Sequence, residues 1–341
     1  MKKSLIALAV LAASGAAMAQ SSVTLNGRVD AWFGTQQLGV GAETQTVLQN
    51  GGLTGSRWAL NGTEDLGGGL KAMFKLENRF SVDDGSDTSG FTGDAYLALA
   101  GGFGTVKLGR TYTAFDDTRA LGNSKNVYDS TLTPVNSVFK AATTGATGFA
   151  TIGGVDYTSR APSGIRYETP NFSGFSASFT YAFGENKTAT TSADDLISLS
   201  LKYAAGPLSV AYGYQEEKVG GATSNKYNHI AGVYDFGVAA VSAGYGKRTG
   251  TAATGDDTGY TLGVTAPVGK AASVSLGYAK EDTQIAGATS QNNSGWALGA
   301  GYSLSKRTTM YAGFSDVKQD NGAGTDTGKR KIFALGVRHD F

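Results

Sequence analysis

The chain has 341 residues, 29 Lys and Arg against 28 Asp and Glu, a formal charge of +1 and no cysteine. That balance argues against a polyanion binder, which needs a basic surplus, and the missing cysteines exclude a disulfide-stapled exported domain. Fifty glycines, 16 tyrosines and 16 phenylalanines beside 5 prolines, at a mean hydropathy of −0.16, do not describe a helical membrane protein but suit a membrane barrel, whose strands alternate apolar and polar faces.

Taken in chain order, residues 1–19 come first as a signal peptide. Lys2 and Lys3 give a positive start, Leu5 to Ala13 an apolar stretch too short to span a bilayer, and Ala17-Met18-Ala19 a small-x-small cleavage pattern. The mature chain is then residues 20–341. Losing Lys2 and Lys3 takes the basic count from 29 to 27 against 28 acids, a charge of −1.

From there the period is two. Segments of alternating hydropathy fall at 22–34, 54–63, 69–80, 91–100, 103–111, 160–169, 174–184, 194–204, 207–218, 226–235, 238–248, 257–266, 271–282, 293–303, 307–318 and 329–341. Phe175, Ala177, Phe179, Tyr181 and Phe183 on one parity against Ser176, Ser178, Thr180 and Ala182 on the other is the clearest case. A soluble sandwich also alternates. It has no need of so many segments of about ten residues with aromatics at their ends, which in a membrane barrel form the interfacial girdles.

Connections alternate between short and long. The short ones are 64–68, 101–102, 170–173, 205–206, 236–237, 267–270 and 304–306, rich in Gly, Pro and Ser. The long ones fall near 35–53, 81–90, 112–159, 185–193, 219–225, 249–256, 283–292 and 319–328. Short periplasmic turns and long external loops are the outer-membrane pattern. The fold expected is all-β, one sixteen-stranded antiparallel transmembrane β-barrel. The longest connection, 112–159, is too long to be an idle loop. The chain ends on Phe341, with His339, Val337, Leu335 and Phe333 on the same face, a terminal aromatic resembling an outer-membrane assembly signal.

Alternation also assigns the lumen. Val23, Leu25, Val29 and Phe33 face lipid, so Arg28 and Asp30 face in. Trp58 and Leu60 face out, so Arg57 faces in. Ala72, Phe74 and Leu76 face out, so Lys71, Lys75, Glu77 and Arg79 face in, and Ile165 and Tyr167 set Arg160 and Arg166 inward. A charge at the lipid-facing midplane costs about 2–4 kcal/mol, so any barrel sorts its charges this way. The plainer alternative for each of these charges is that it only wets the lumen.

Gly55 to Ala72 (GSRWALNGTEDLGGGLKA), Thr105 to Arg110 (TVKLGR) and Ile165 to Gly174 (IRYETPNFSG) resemble strands of the Gram-negative general porins, and the resemblance runs along the mature chain. It implies a homotrimer of water-filled barrels in outer-membrane lipid, passing ions and small hydrophilic solutes. It implies that the third long loop folds into the pore, with acids facing a basic ladder on the opposite wall, a transverse field that sorts solutes by charge. By that resemblance Arg28, Arg57, Arg110 and Arg160 match basic constriction positions and Glu77 an acidic one. Strict alternation from Val106 and Leu108 sends Arg110 to the lipid side; a bulge at the strand end can re-aim it.

Two departures bear on selectivity. Where many members carry Pro-Glu-Phe-Gly on the inward loop, this chain has Thr133-Pro134-Val135-Asn136, which leaves Asp129 as the best loop acid beside Asp116 and Asp117. Asp94 holds a lumen position where some relatives carry a base. The first change favours anions and the second disfavours them; the balance points to a mild anion preference. A substrate-specific channel is the alternative, and an adhesin barrel a third. The lumen parity, mostly Ser, Thr, Gly and Ala, favours a general pore. No G-x-S-x-G, H-E-x-x-H or G-x-x-x-x-G-K is present and only His229 and His339 occur, so neither enzyme chemistry nor a cofactor is expected.

Overall fold

The computed structural model describes residues 21–123, 132, 139–141, 155–252 and 255–341. The proposed leader, Asp129 and the Thr133 to Asn136 stretch lie outside the described residues. The first half of the wall is β1 (Ser22–Leu38), β2 (Gln45–Asn50), β3 (Arg57–Gly67), β4 (Leu70–Arg79), β5 (Ala95–Gly101) and β6 (Gly104–Tyr112). Helix α1 (Asp116–Asn123) and a short parallel pair, β7 (Phe139–Ala141) with β8 (Val155–Tyr157), belong to the third connection. The wall resumes with β9 (Arg160–Glu168), β10 (Phe175–Ala182), β11 (Leu196–Ala205), β12 (Leu208–Val219) and β13 (Ala222–Asp235). It ends with β14 (Ala240–Thr249), β15 (Asp256–Val268), β16 (Ala272–Ile285), β17 (Ala288–Ser303), β18 (Thr308–Asp320) and β19 (Asp326–Asp340).

All wall pairings are antiparallel, and β19 returns to β1 from Arg28↔Asp340 to Leu38↔Arg330. Phe341 completes the seam, its N–H and carbonyl both bonded to Gly27 at 3.0 Å. Seventeen strands form the sheet, and β2 and β3 share one place beside β1, so the barrel has the expected sixteen positions. A closed wall leaves no edge unpaired, as lipid demands. Its polarity is inverted relative to a water-soluble core: Val23, Leu25, Leu97, Leu262 and Leu298 stand 51–68% exposed, while Asp30, Thr180, Ser198 and Gln215 are buried at 0%. In β14 the alternation is unbroken from Ala240 to Thr249.

The structure corrects the sequence reading at two kinds of place. The second strand does not begin at 54. β1 runs on to Leu38, β2 pairs with its far half, and residues 51–56 leave the wall for the lumen. Asp30 causes this: its carboxylate accepts from the backbone N–H of Gly52, Leu53 and Thr54 at 2.9–3.2 Å and from the Tyr311 hydroxyl at 2.5 Å. Connections 219–225 and 283–292 are not long loops either. Gly220-Gly221 and Ala286-Gly287, all at positive φ, make two-residue turns matched to strand twist. Beyond the hydrocarbon the strands turn polar, lose their hydropathy alternation and so read as loop.

Candidate functional site

One wall gathers the charge. β3, β4, β6 and β9 belong to the same stretch of wall, and alternation aims Arg57, Lys75, Glu77, Arg79, Arg160 and Arg166 into the lumen. Glu77 is the hub. It is 4% exposed and meets Lys75 at 2.9 Å, Arg79 at 3.2 Å, Arg160 at 3.9 Å and Arg57 at 4.0 Å. Asp94, just ahead of β5, accepts from Lys75 at 3.0 Å and from Arg160 at 3.2 Å. The Arg160 guanidinium also lies 3.5 Å from the Tyr112 ring centre. At the seam Arg28 meets Asp340 at 3.2 Å, and Arg338 shares that carboxylate at 3.3 Å. A cavity of about 400 Å³ opens between Arg28, Arg57, Lys75, Glu77, Tyr112, Arg160 and Asp340.

Arg110 joins this group, against strict alternation. Gly109 takes φ +126°, a region that suits glycine, and the pairing with β9 slips between Gly109 and Thr111. The break re-aims Arg110: its Nε donates to the Thr92 carbonyl at 3.1 Å, and its charged neighbours are Arg160, Arg79 and Asp94. The structure thus brings Arg28, Arg57, Glu77, Asp94, Arg110 and Arg160 together on one side of the lumen. Asp340 and Arg338 are not among the positions expected from sequence, where the last strand contributes only its outward face. The even positions just before Phe341 carried the signal. With them, seven cations (Arg28, Arg57, Lys75, Arg79, Arg110, Arg160, Arg338) face three carboxylates (Glu77, Asp94, Asp340).

The opposite wall is covered by the third connection. Helix α1 is too short for its periodicity to be read, and neighbouring strands hold it in place. The unbonded N–H groups at its start find wall hydroxyls: Ala114 N donates to Thr180 Oγ1 at 3.1 Å and Phe115 N to Ser198 Oγ at 2.7 Å. Asp116 and Asp117 suit the helix N-terminus, and each is matched locally. Asp117 pairs with Arg166 at 2.7 Å and accepts from Ser178 Oγ at 2.6 Å. Asp116 pairs with Arg119 at 3.3 Å and accepts from the Tyr157 hydroxyl. Asp117 thus meets the charged wall only at its β9 edge, through Arg166, and among the described residues neither acid ion-pairs with Arg28, Arg57, Arg110 or Arg160, as loop acids were expected to. Phe115, Tyr157, Tyr227 and Ala279 pack as a dry cluster, and Thr118 meets His229 Nδ1 at 3.1 Å. Small lumen residues make room: a Cβ on Gly213 would stand 2.8 Å from Thr118.

The connection also touches the seam. Leu132 is fully buried with Trp32, Leu53, Tyr311, Ile332 and Ala334. Helix α1 packs on β11 to β15 while Leu132 packs at the seam, so the two anchored parts of the connection lie on different walls of the lumen.

Known proteins agree with this architecture. A family model described as Gram-negative porin matches residues 5–322. The chain is 38% identical over 347 residues to outer membrane porin protein 32 of Delftia acidovorans, covering 99% of this chain and 95% of that protein. It is 30% identical to an outer membrane porin protein of Bordetella pertussis, over 100% of both chains. Among solved structures, an anion-selective porin from Comamonas acidovorans superposes with a TM-score of 0.75 at 30% identity, covering 94% of this chain and 100% of the other.

Proposed function

This chain belongs to the Gram-negative porins and is a general diffusion channel of the outer membrane, and on that premise we propose that solutes pass a neck bounded by the cation-rich wall and that the neck favours anions. One observation carries the reading: seven cations gather around three carboxylates in the lumen, while Asp116 and Asp117 on the facing loop are each held by a cation or hydroxyl of their own. Two unit charges 4 Å apart interact by about 1 kcal/mol in water and about 4 kcal/mol at an effective dielectric of 20. Screening at 0.1 M salt reaches about 10 Å. A surplus at the neck therefore outweighs the mature net charge of −1, which is spread over wide vestibules. The likeness to a porin named as anion-selective supports the same sign. In planar bilayers under a potassium chloride gradient, the wild-type zero-current potential is expected on the chloride side. A potential on the potassium side contradicts the reading.

The same premise carries the oligomer and the leader. We propose a homotrimer whose contacts use outward apolar residues of the first and last strands, where Val23, Leu25, Phe333 and Leu335 are 45–68% exposed. Light scattering in mild detergent should give three times the protomer mass; a monomer mass sinks the idea. The mature N-terminus is expected at Gln20.

A further inference from the structure

On β14 to β17 the outward apolar band ends, toward the long connections, in a row of aromatics: Tyr245, Tyr260, Tyr278 and Trp296, all exposed. Trp296 continues the row onto β18 by stacking with Phe314 at 5.1 Å. Beyond this row the same parity carries lysines. Two of them are balanced on the spot: Lys247 reaches Asp256 at 3.5 Å and Lys280 reaches Asp282 at 3.2 Å. β18 and β19 differ. Lys318 stands directly opposite Lys329 in the register, and among the described residues neither has a carboxylate within salt-bridging range. One rung closer to the apolar band, Asp316 faces Lys331, whose ammonium lies 5.5 Å from the Phe314 ring centre. The next acid outward, Asp320, is engaged by Asn292 Nδ2 at 2.9 Å and Gly322 N at 2.8 Å.

Like charges directly opposite on a sheet destabilise it. An anion seated between the two ammoniums reverses the sign of that contact. Position says which anion. Lys318 lies four residues beyond Phe314, about 14 Å along the strand, past the aromatic row that marks the edge of the hydrocarbon. That is headgroup depth, on the end of the long connections and so of the outer leaflet. We propose that Lys318 and Lys329, with Lys331 beside them, bind the phosphorylated headgroup of an outer-leaflet glycolipid, whose acyl chains lie over Phe314 and Trp296. The inference rests on the barrel's place in the outer membrane and is independent of the neck's ion preference.

The test is native mass spectrometry of the detergent-solubilised full protein titrated with bis-phosphorylated lipid A and with the same lipid after phosphate removal. A basic side chain at an anionic lipid surface contributes about a factor of five, so Lys318→Ser/Lys329→Ser should weaken binding of the phosphorylated lipid roughly tenfold to thirtyfold. Lys247→Ser/Lys280→Ser should change it less than about twofold. The dephosphorylated lipid should bind wild type and variant alike. Thermal melting keeps the test sound against a folding defect. Without lipid the Lys318→Ser/Lys329→Ser protein should melt no lower than wild type, because a repulsion is gone, and added phosphorylated lipid should raise the wild type more. Equal retention of phosphorylated lipid by both proteins overturns the proposal. Loss of the oligomer with lipid binding unchanged assigns the surface to a second copy and overturns it too. Inorganic phosphate raising the wild-type melt as far as the lipid does removes the lipid as the source.

Discussion

The wall of β3 to β6 with β9 and the wall of β11 to β15 are built from the same alternating strands, yet the first presents bare charge to the lumen and the second presents a covered, matched surface. On the first, Glu77 and Asp94 are shared among cations that outnumber them. On the second, the Ser198 hydroxyl, Tyr227 and His229 receive α1 and its neighbours. Lumen parity alone thus does not define a pore lining; what the third connection covers is removed from the path. In the proposed neck, that difference is the source of the field.

The comparison can be broken from either side. On the charged side, Asp30 is fully buried and holds the inward turn at 51–56. Asp30→Ala removes the acceptor of the Leu53 and Thr54 N–H groups and one bond each of Gly52 and Tyr311 and should cost about 3 kcal/mol, read by urea unfolding in lipid vesicles, with larger current noise. Unchanged stability and quiet channels would mean that the turn holds itself. Where the charged wall meets the covering helix, Arg166→Met on β9 removes the partner of Asp117. The expected loss is about 2–3 kcal/mol, below the 3–5 kcal/mol of a fully buried pair, because the Asp117 side chain keeps 35% exposure. Conductance should fluctuate as α1 loosens; a silent substitution would show that the wall hydroxyls suffice. Gly213→Ala crowds Thr118 and should cost about 1 kcal/mol with little change in selectivity, and a large selectivity change would place α1 in the ion path.

Much of this was legible in the sequence because alternation is a local property. Arg57 beside Trp58, and Glu77 beside Leu76, carry their facing in their neighbours. The same logic hides what depends on distant partners. Nothing near Gly52 announces that Asp30 will capture its N–H. The slip at Gly109 is set by pairing with β9, where Ser163 also takes a positive φ. The role of Gly213 as a seat for Thr118 is invisible until the helix is placed. Asp116 and Asp117 look like free loop acids in sequence, and only their partners Arg119 and Arg166 show them neutralised.

The central claim is that charge at the neck, not charge in total, sets ion preference. Arg57→Glu and Lys247→Glu change the net charge by the same amount, one at the neck and one on the outer face beside Asp256. In a potassium chloride gradient, Arg57→Glu should move the zero-current potential toward the cation side while Lys247→Glu leaves it at the wild-type value. Equal shifts from the two, or no shift from Arg57→Glu, would contradict the account.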